Sequence, residues 1–152
     1  MKIYLGGKIK HGDWRSEIYP GLEGIAEELE YKAESLVVNA IFGEHDYVAP
    51  FFLDLDNPNV SPPGLVNLCR RRLERSDMFF IYFEEGDEES AYGTLFEAGV
   101  AKTLGIFLAI GSAGKSLSPD VWFTEAAADY VIKGVTPEVA LRAAIAEAER
   151  RG

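Results

Sequence analysis

Three consecutive stretches decide how this chain folds: Met78-Phe79-Phe80-Ile81-Tyr82-Phe83, the acidic loop Glu84-Glu85-Gly86-Asp87-Glu88-Glu89, and Tyr92-Gly93-Thr94-Leu95-Phe96-Glu97-Ala98-Gly99-Val100-Ala101. An apolar run without alternation describes a strand covered on both faces. The segment beyond the loop reads as a turn and the first turns of a helix. Gly93 allows close approach to the backbone, while Thr94 and Glu97 stand toward the helix's positive end. At helical spacing Gly93, Thr94, Glu97 and Ala101 share one face, and all but Glu97 are small. Leu95, Phe96, Val100 and Leu104 fall elsewhere and supply packing. A carboxylate kept ionised by a helix N-terminus, with room beside it, suits a nucleophile or base. First-turn glutamates also occur for dipole reasons alone.

Outward from this unit the pattern repeats. Ile3-Tyr4-Leu5 followed by Gly6-Gly7 reads as a short buried strand ending in a permissive turn. Trp14 to Glu30 is helix-like, interrupted by Pro20-Gly21. Ser35 to Phe42 is a β-branched run, hence a second strand, and Tyr47 to Asp54 is an irregular aromatic segment. Ser61-Pro62-Pro63 opens a helix, with serine as cap and proline in the first turn, that runs to about Arg75. Ile106 to Gly111 and Tyr130-Val131-Ile132 give a fourth and a fifth strand. A short helix over Pro119 to Ala128 lies between them, and Thr136-Pro137-Glu138 opens the last helix. Strands alternating with helices indicate a parallel sheet covered on both sides. Ligands in such folds sit beyond the carboxyl ends of the strands. Gly6-Gly7, the Tyr92–Glu97 turn and the Gly111–Lys115 loop all fall at that rim.

A length of 152 residues suits one domain. The formal net charge of −10 argues against nucleic-acid polymers and anionic membrane surfaces as partners, though a small anionic ligand remains compatible. The single cysteine, Cys69, excludes an intrachain disulfide and any multi-cysteine metal site. With no apolar run long enough to span a bilayer, the expected location is the cytoplasm.

Other side chains invite weighing. His45, between Glu44 and Asp46, fits a solvated loop better than a general acid. The acidic loop reads as solvated, and Arg70-Arg71-Arg72 as the wet face of a helix. Gly111-Ser112-Ala113-Gly114-Lys115-Ser116 lacks the spacing of a phosphate loop. Asp77 pins the start of its strand, and Cys69, in mid-helix, reads as a small core residue.

Taken together, Tyr4-Leu5-Gly6-Gly7-Lys8, Asp13-Trp14-Arg15, the aromatic segment Tyr47–Phe52, Arg75-Ser76-Asp77 and Tyr92 to Gly99 resemble the nucleoside 2-deoxyribosyltransferase family, including its nucleoside-monophosphate N-glycosidase relatives. The resemblance runs from the first strand to about Gly111. It implies a single α/β domain over residues 1–152, a flavodoxin-like or Rossmann-like three-layer sandwich with a five-stranded, mostly parallel sheet. It also implies covalent chemistry on an N-glycosidic bond, with Glu97 as nucleophile and no metal or cofactor. Tyr92 would orient the carboxylate through its hydroxyl. Gly6, Gly7 and Lys8 would line the pocket floor beside Gly93 and Thr94, and Trp14 or Phe51 would stack on the base. The chain departs from the pattern at Ala91 and Cys69, where acidic groups that handle the base are expected, so Asp54, Asp87, Glu88 or Glu89 would substitute. The implied partners are a small nucleoside or nucleotide and further copies of the chain, with Trp122 and Phe123 as exposed aromatics. The alternative is a non-catalytic nucleotide-binding or sensor module of the same fold.

Overall fold

The computed structural model describes residues 1–22, 24, 36–51 and 61–152. Six strands form one sheet: β1 (Lys2–Gly6), β2 (Val37–Ile41), β3 (His45–Ala49), β4 (Met78–Phe83), β5 (Phe107–Ser112) and β6 (Tyr130–Lys133). Their order is β2-β3-β1-β4-β5-β6, and only the β2–β3 pair is antiparallel. The sheet therefore has six strands where five are expected, and β3 is the addition. His45 and Asp46 open it with polar side chains, which hides a strand whose last three residues, Tyr47, Val48 and Ala49, are all buried. The β-branched run before it forms the edge strand β2, joined to β3 by a tight hairpin. Phe42 and Gly43 both take positive φ there, 56° and 74°.

Without its edge strand the sheet is a doubly wound parallel array whose strand order reverses between β1 and β4. Five helices are described: α1 (Arg15–Ile18), α2 (Pro62–Leu73), α3 (Tyr92–Thr103), α4 (Trp122–Ala127) and α5 (Pro137–Arg151). Ser61 caps α2 by accepting from the Gly64 N–H at 3.2 Å, and Thr136 caps α5 through Val139, each followed by proline. The helix-like segment from Trp14 is interrupted at Pro20-Gly21 as expected: α1 stops at Ile18, Leu22 and Gly24 are again helical, and residues 25–30 lie outside the described residues.

The period-two alternation of the strands sorts the core into two layers. Ile3, Leu5, Phe80, Tyr82 and Ala109 pack with Ala140, Leu141 and Ala144 of α5. Tyr4, Phe79, Ile81, Phe83 and Leu108 pack with Leu73 of α2 and Ala98 and Ala101 of α3. No residue of β4 is more than 2% exposed, which confirms a strand covered on both faces. Asp77 does pin the strand start: its Oδ2 accepts from the Lys2 N–H at 2.7 Å, and its own N–H donates to Lys2.

Three surface readings change. The acidic loop tightens into a 3₁₀ turn over Asp87–Ser90, with Asp87 buried and Lys10 bridging to Glu84 at 2.7 Å and Asp87 at 3.6 Å. Arg70 and Arg71 are wet, but Arg72 is buried, with its guanidinium 4.9 Å from the centre of the Phe51 ring. His45 is buried at the head of β3, at the opposite end of the sheet from the carboxyl rim, so neither a solvated loop nor a general acid at the rim describes it. Among the described residues no helix is long and apolar enough to cross a membrane, and no group of His, Cys, Asp and Glu could hold a metal ion.

Candidate active site

The site begins with the turn after β1. Arg15 is fully buried and organises it: Nε donates to the Leu5 carbonyl at 2.9 Å, Nη1 to Lys8 at 3.2 Å and Nη2 to Gly7 at 3.1 Å. Nη1 also pairs with Asp13 at 2.5 Å, and Asp13 accepts from the backbone N–H groups of Arg15 and Lys10. A buried ion pair is tolerated when its remaining donors and acceptors are satisfied, and here three carbonyls complete the guanidinium. Glycine is required along this turn. A Cβ on Gly6 would lie 2.1 Å from the Phe79 ring, and Gly7, at φ +122°, would place one 2.7 Å from the Tyr82 carbonyl oxygen.

Glu97 approaches from the second turn of α3. Its Oε1 accepts a 2.7 Å hydrogen bond from the Tyr4 hydroxyl, which rises from the centre of β1. Cys69, from α2, lines the same cleft as this carboxylate. Burial pushes the Glu97 carboxyl above its ordinary value. Hydrogen bonds from Tyr4 and Cys69 and the positive charge of Arg15 act in the opposite sense without cancelling it. Burial and the neighbouring Glu97 charge likewise raise Tyr4 well above its usual range.

These groups border a cleft of about 290 Å³ at the carboxyl rim, next to the point where strand order reverses. Gly6, Gly7, Lys8, Gly93, Thr94 and Glu97 all line it, together with Tyr4, Cys69, Ser90 and Ala91. An apolar groove of about 170 Å³ adjoins it between α2 and α3, walled by Leu65, Val66, Leu73, Phe96 and Val100. Cys69, Glu97, Gly93 and Leu65 belong to both spaces.

Three expected residues lie elsewhere. Tyr92 is 79% exposed and borders neither space. It stands five positions before Glu97, about 140° away around the helix, so its hydroxyl is aimed at solvent and Tyr4 supplies the contact instead. Trp14 is 1% exposed and packs against Phe80 and Tyr82 on the opposite face of the sheet. Phe51 is buried against Tyr47 and outside the cleft. The Gly111–Lys115 loop folds onto Gly134 through its backbone, away from Glu97. Asp87, Glu88 and Glu89 do not border the cleft, and Asp54 lies outside the described residues.

Tyr4 and Cys69 are the site members that the residue pattern alone leaves in the core. Tyr4 shares its strand face with Gly6, two positions on, and that spacing was the available signal. For Cys69 the signal was its place where an acidic group is expected from the resemblance.

Neither the known protein-family profiles nor the curated proteins give a match to this sequence. Among solved structures, the fold is similar to that of the CMP N-glycosidase BcmB of Clostridium botulinum, with a TM-score of 0.53 over 96% of this chain and 99% of that one. At 15% identity the likeness is one of architecture, and this chain is a single α/β sandwich built to the same plan as that N-glycosidase.

Proposed function

We propose that this chain, as one nucleoside 2-deoxyribosyltransferase-like domain over residues 1–152, breaks the N-glycosidic bond of a nucleoside or nucleotide. The observation that carries the reading is the desolvated Glu97 carboxylate, held by the Tyr4 hydroxyl at the edge of a glycine-floored cleft. The likeness to a nucleotide N-glycosidase supports it.

In this reading a Glu97 oxygen attacks the anomeric carbon, and the carbon–nitrogen bond breaks with its electron pair passing to the base, which takes up a proton. Water or a second base then attacks the same carbon from the vacated side, and the carboxylate is restored with net retention. Gly6, Gly7 and Gly93 let the sugar approach the backbone closely. Thr94 and Lys8 supply polar contacts at the rim. Tyr4 takes the orienting role expected of Tyr92, while Trp14 and Phe51 support the turn and the core. Hydrolysis and transfer share the first half of this sequence and differ in the acceptor admitted to the second.

Self-association belongs to the same reading. The outer face of α2 and α3 leaves Val66, Phe96 and Leu104 between 44% and 60% exposed beside the cleft, and Trp122 and Phe123 are exposed on α4. The deciding experiment incubates a panel of deoxynucleosides and their monophosphates with the protein, with and without an acceptor base, and examines it by intact mass. A pentosyl adduct on Glu97 is expected. Glu97→Gln is expected to lower turnover by at least about a thousandfold, roughly 4 kcal/mol of barrier. Full glycosidic turnover in that variant would end this mechanism. Saturable binding without any turnover would favour the sensor module.

A further inference from the structure

We infer that Lys10 is a positioning residue that clasps two walls of the cleft together, an inference that rests on the glycosidic reading above. Lys10 itself borders neither the cleft nor the groove. One wall comes from the turn after β1, through Gly7, Lys8 and Ile9; the other comes from the connection between β4 and α3, through Ser90, Ala91 and Thr94. Lys10 spans from the first to the second, with its Nζ 2.7 Å from Glu84 Oε2 and 3.6 Å from Asp87 Oδ1. Its near end is anchored. The Lys10 N–H donates to Asp13 Oδ2 and its carbonyl accepts from the Asp13 N–H, both at 3.2 Å, and Asp13 is the carboxylate paired with buried Arg15. Its far end meets a need. Asp87 is buried, and its Oδ2 has no hydrogen-bond partner among the described residues, so Lys10 supplies positive charge beside a carboxylate withdrawn from water. The 3₁₀ turn that Asp87 opens runs through Ala91 directly into α3. The clasp thus holds Ser90, Ala91 and Thr94 in place against Lys8 and Ile9. The Tyr4–Glu97 hydrogen bond joins β1 to α3 without passing through it. Losing the clasp therefore loosens the cleft while the nucleophile keeps its orientation, and substrate capture suffers more than chemistry.

Two measurements separate this role from a merely structural one. In the first, Lys10→Met and Lys10→Arg are assayed with an uncharged deoxynucleoside, so that salt acts on the protein and not on the substrate. Methionine keeps the apolar stem and removes the charge. KM should rise about fivefold with kcat within about twofold of wild type, and arginine should restore KM. The Lys10 and Glu84 side chains are 46% and 35% exposed, so salt screens the clasp. The wild-type KM should therefore rise at high ionic strength while that of Lys10→Met stays flat. A KM unchanged in Lys10→Met, or a loss confined to kcat, would overturn the inference. If Glu97→Gln keeps full turnover, the function fails rather than the clasp. The second measurement needs no substrate and compares amide hydrogen exchange in wild type and Lys10→Met. Residues 86–93 should exchange at least about threefold faster in the variant, with α5 unchanged. Equal rates over residues 86–93 would overturn the inference independently, and so would faster exchange throughout the chain, which reports a loss of overall stability.

Discussion

Asp13 is buried beneath the turn after β1 and Glu97 is partly buried beside it, and the chain treats the two carboxylates in opposite ways. Asp13 is paired to Arg15 and accepts two backbone N–H groups, so its charge is fully answered. Among the described residues Glu97 accepts its hydrogen bond from the neutral Tyr4 hydroxyl, feels Arg15 at a distance, and has open space beside it. The difference separates a carboxylate that builds structure from one held in reserve for chemistry. Saturated charge stabilises a shape, whereas desolvated and incompletely answered charge stays reactive.

The sharpest way to break the contrast is Arg15→Ala. It strands Asp13 without a cation and frees three carbonyls, so unfolding free energy should fall by about 3–5 kcal/mol in a urea titration. A loss under about 1 kcal/mol would mean that the turn does not depend on this pair. Tyr4→Phe tests the other side. It removes a hydrogen bond that favours ionised Glu97, so the raised pKa of that carboxyl should rise further. Attack requires the ionised form, so the acid limb of the rate profile should move upward in pH, and kcat should fall about tenfold. The smallest effect belongs to Tyr92→Phe, whose hydroxyl faces solvent. Turnover should stay within about twofold of wild type, and a larger loss would place Tyr92 in contact with substrate.

Much of this contrast was open to reading in the residues, and the rest was concealed for definite physical reasons. The unbroken apolar run of β4 and the small-residue face of α3 announced a covered strand followed by a helix at the rim, and that unit stands as expected. The strand β3 was hidden because its polar first half masks the three-residue buried end that pairs with β1. Tyr4 was hidden for the opposite reason: in a strand covered on both sides every aromatic resembles core, and nothing local distinguishes a hydroxyl that finds a carboxylate 93 positions away. Arg72 was misread although geometry forbade the reading. Three consecutive helical residues point in directions about 100° apart, so a run of three arginines cannot share one wet face. Arg15 offered no periodic signal at all, since its partners are carbonyls of a turn.

Phe79 touches neither the cleft nor the groove, yet its ring fills the space that glycine leaves at position 6 and meets the Tyr4 ring edge-on at 5.1 Å. The angle at which the tyrosine reaches upward is thereby set from a neighbouring strand, through a contact no substrate can feel. A leucine in that place would leave every cleft-lining side chain intact and still loosen the aim. Searches for altered turnover confined to residues within reach of a ligand would pass over this wedge. The tolerances of the reaction are written one layer below the surface that performs it.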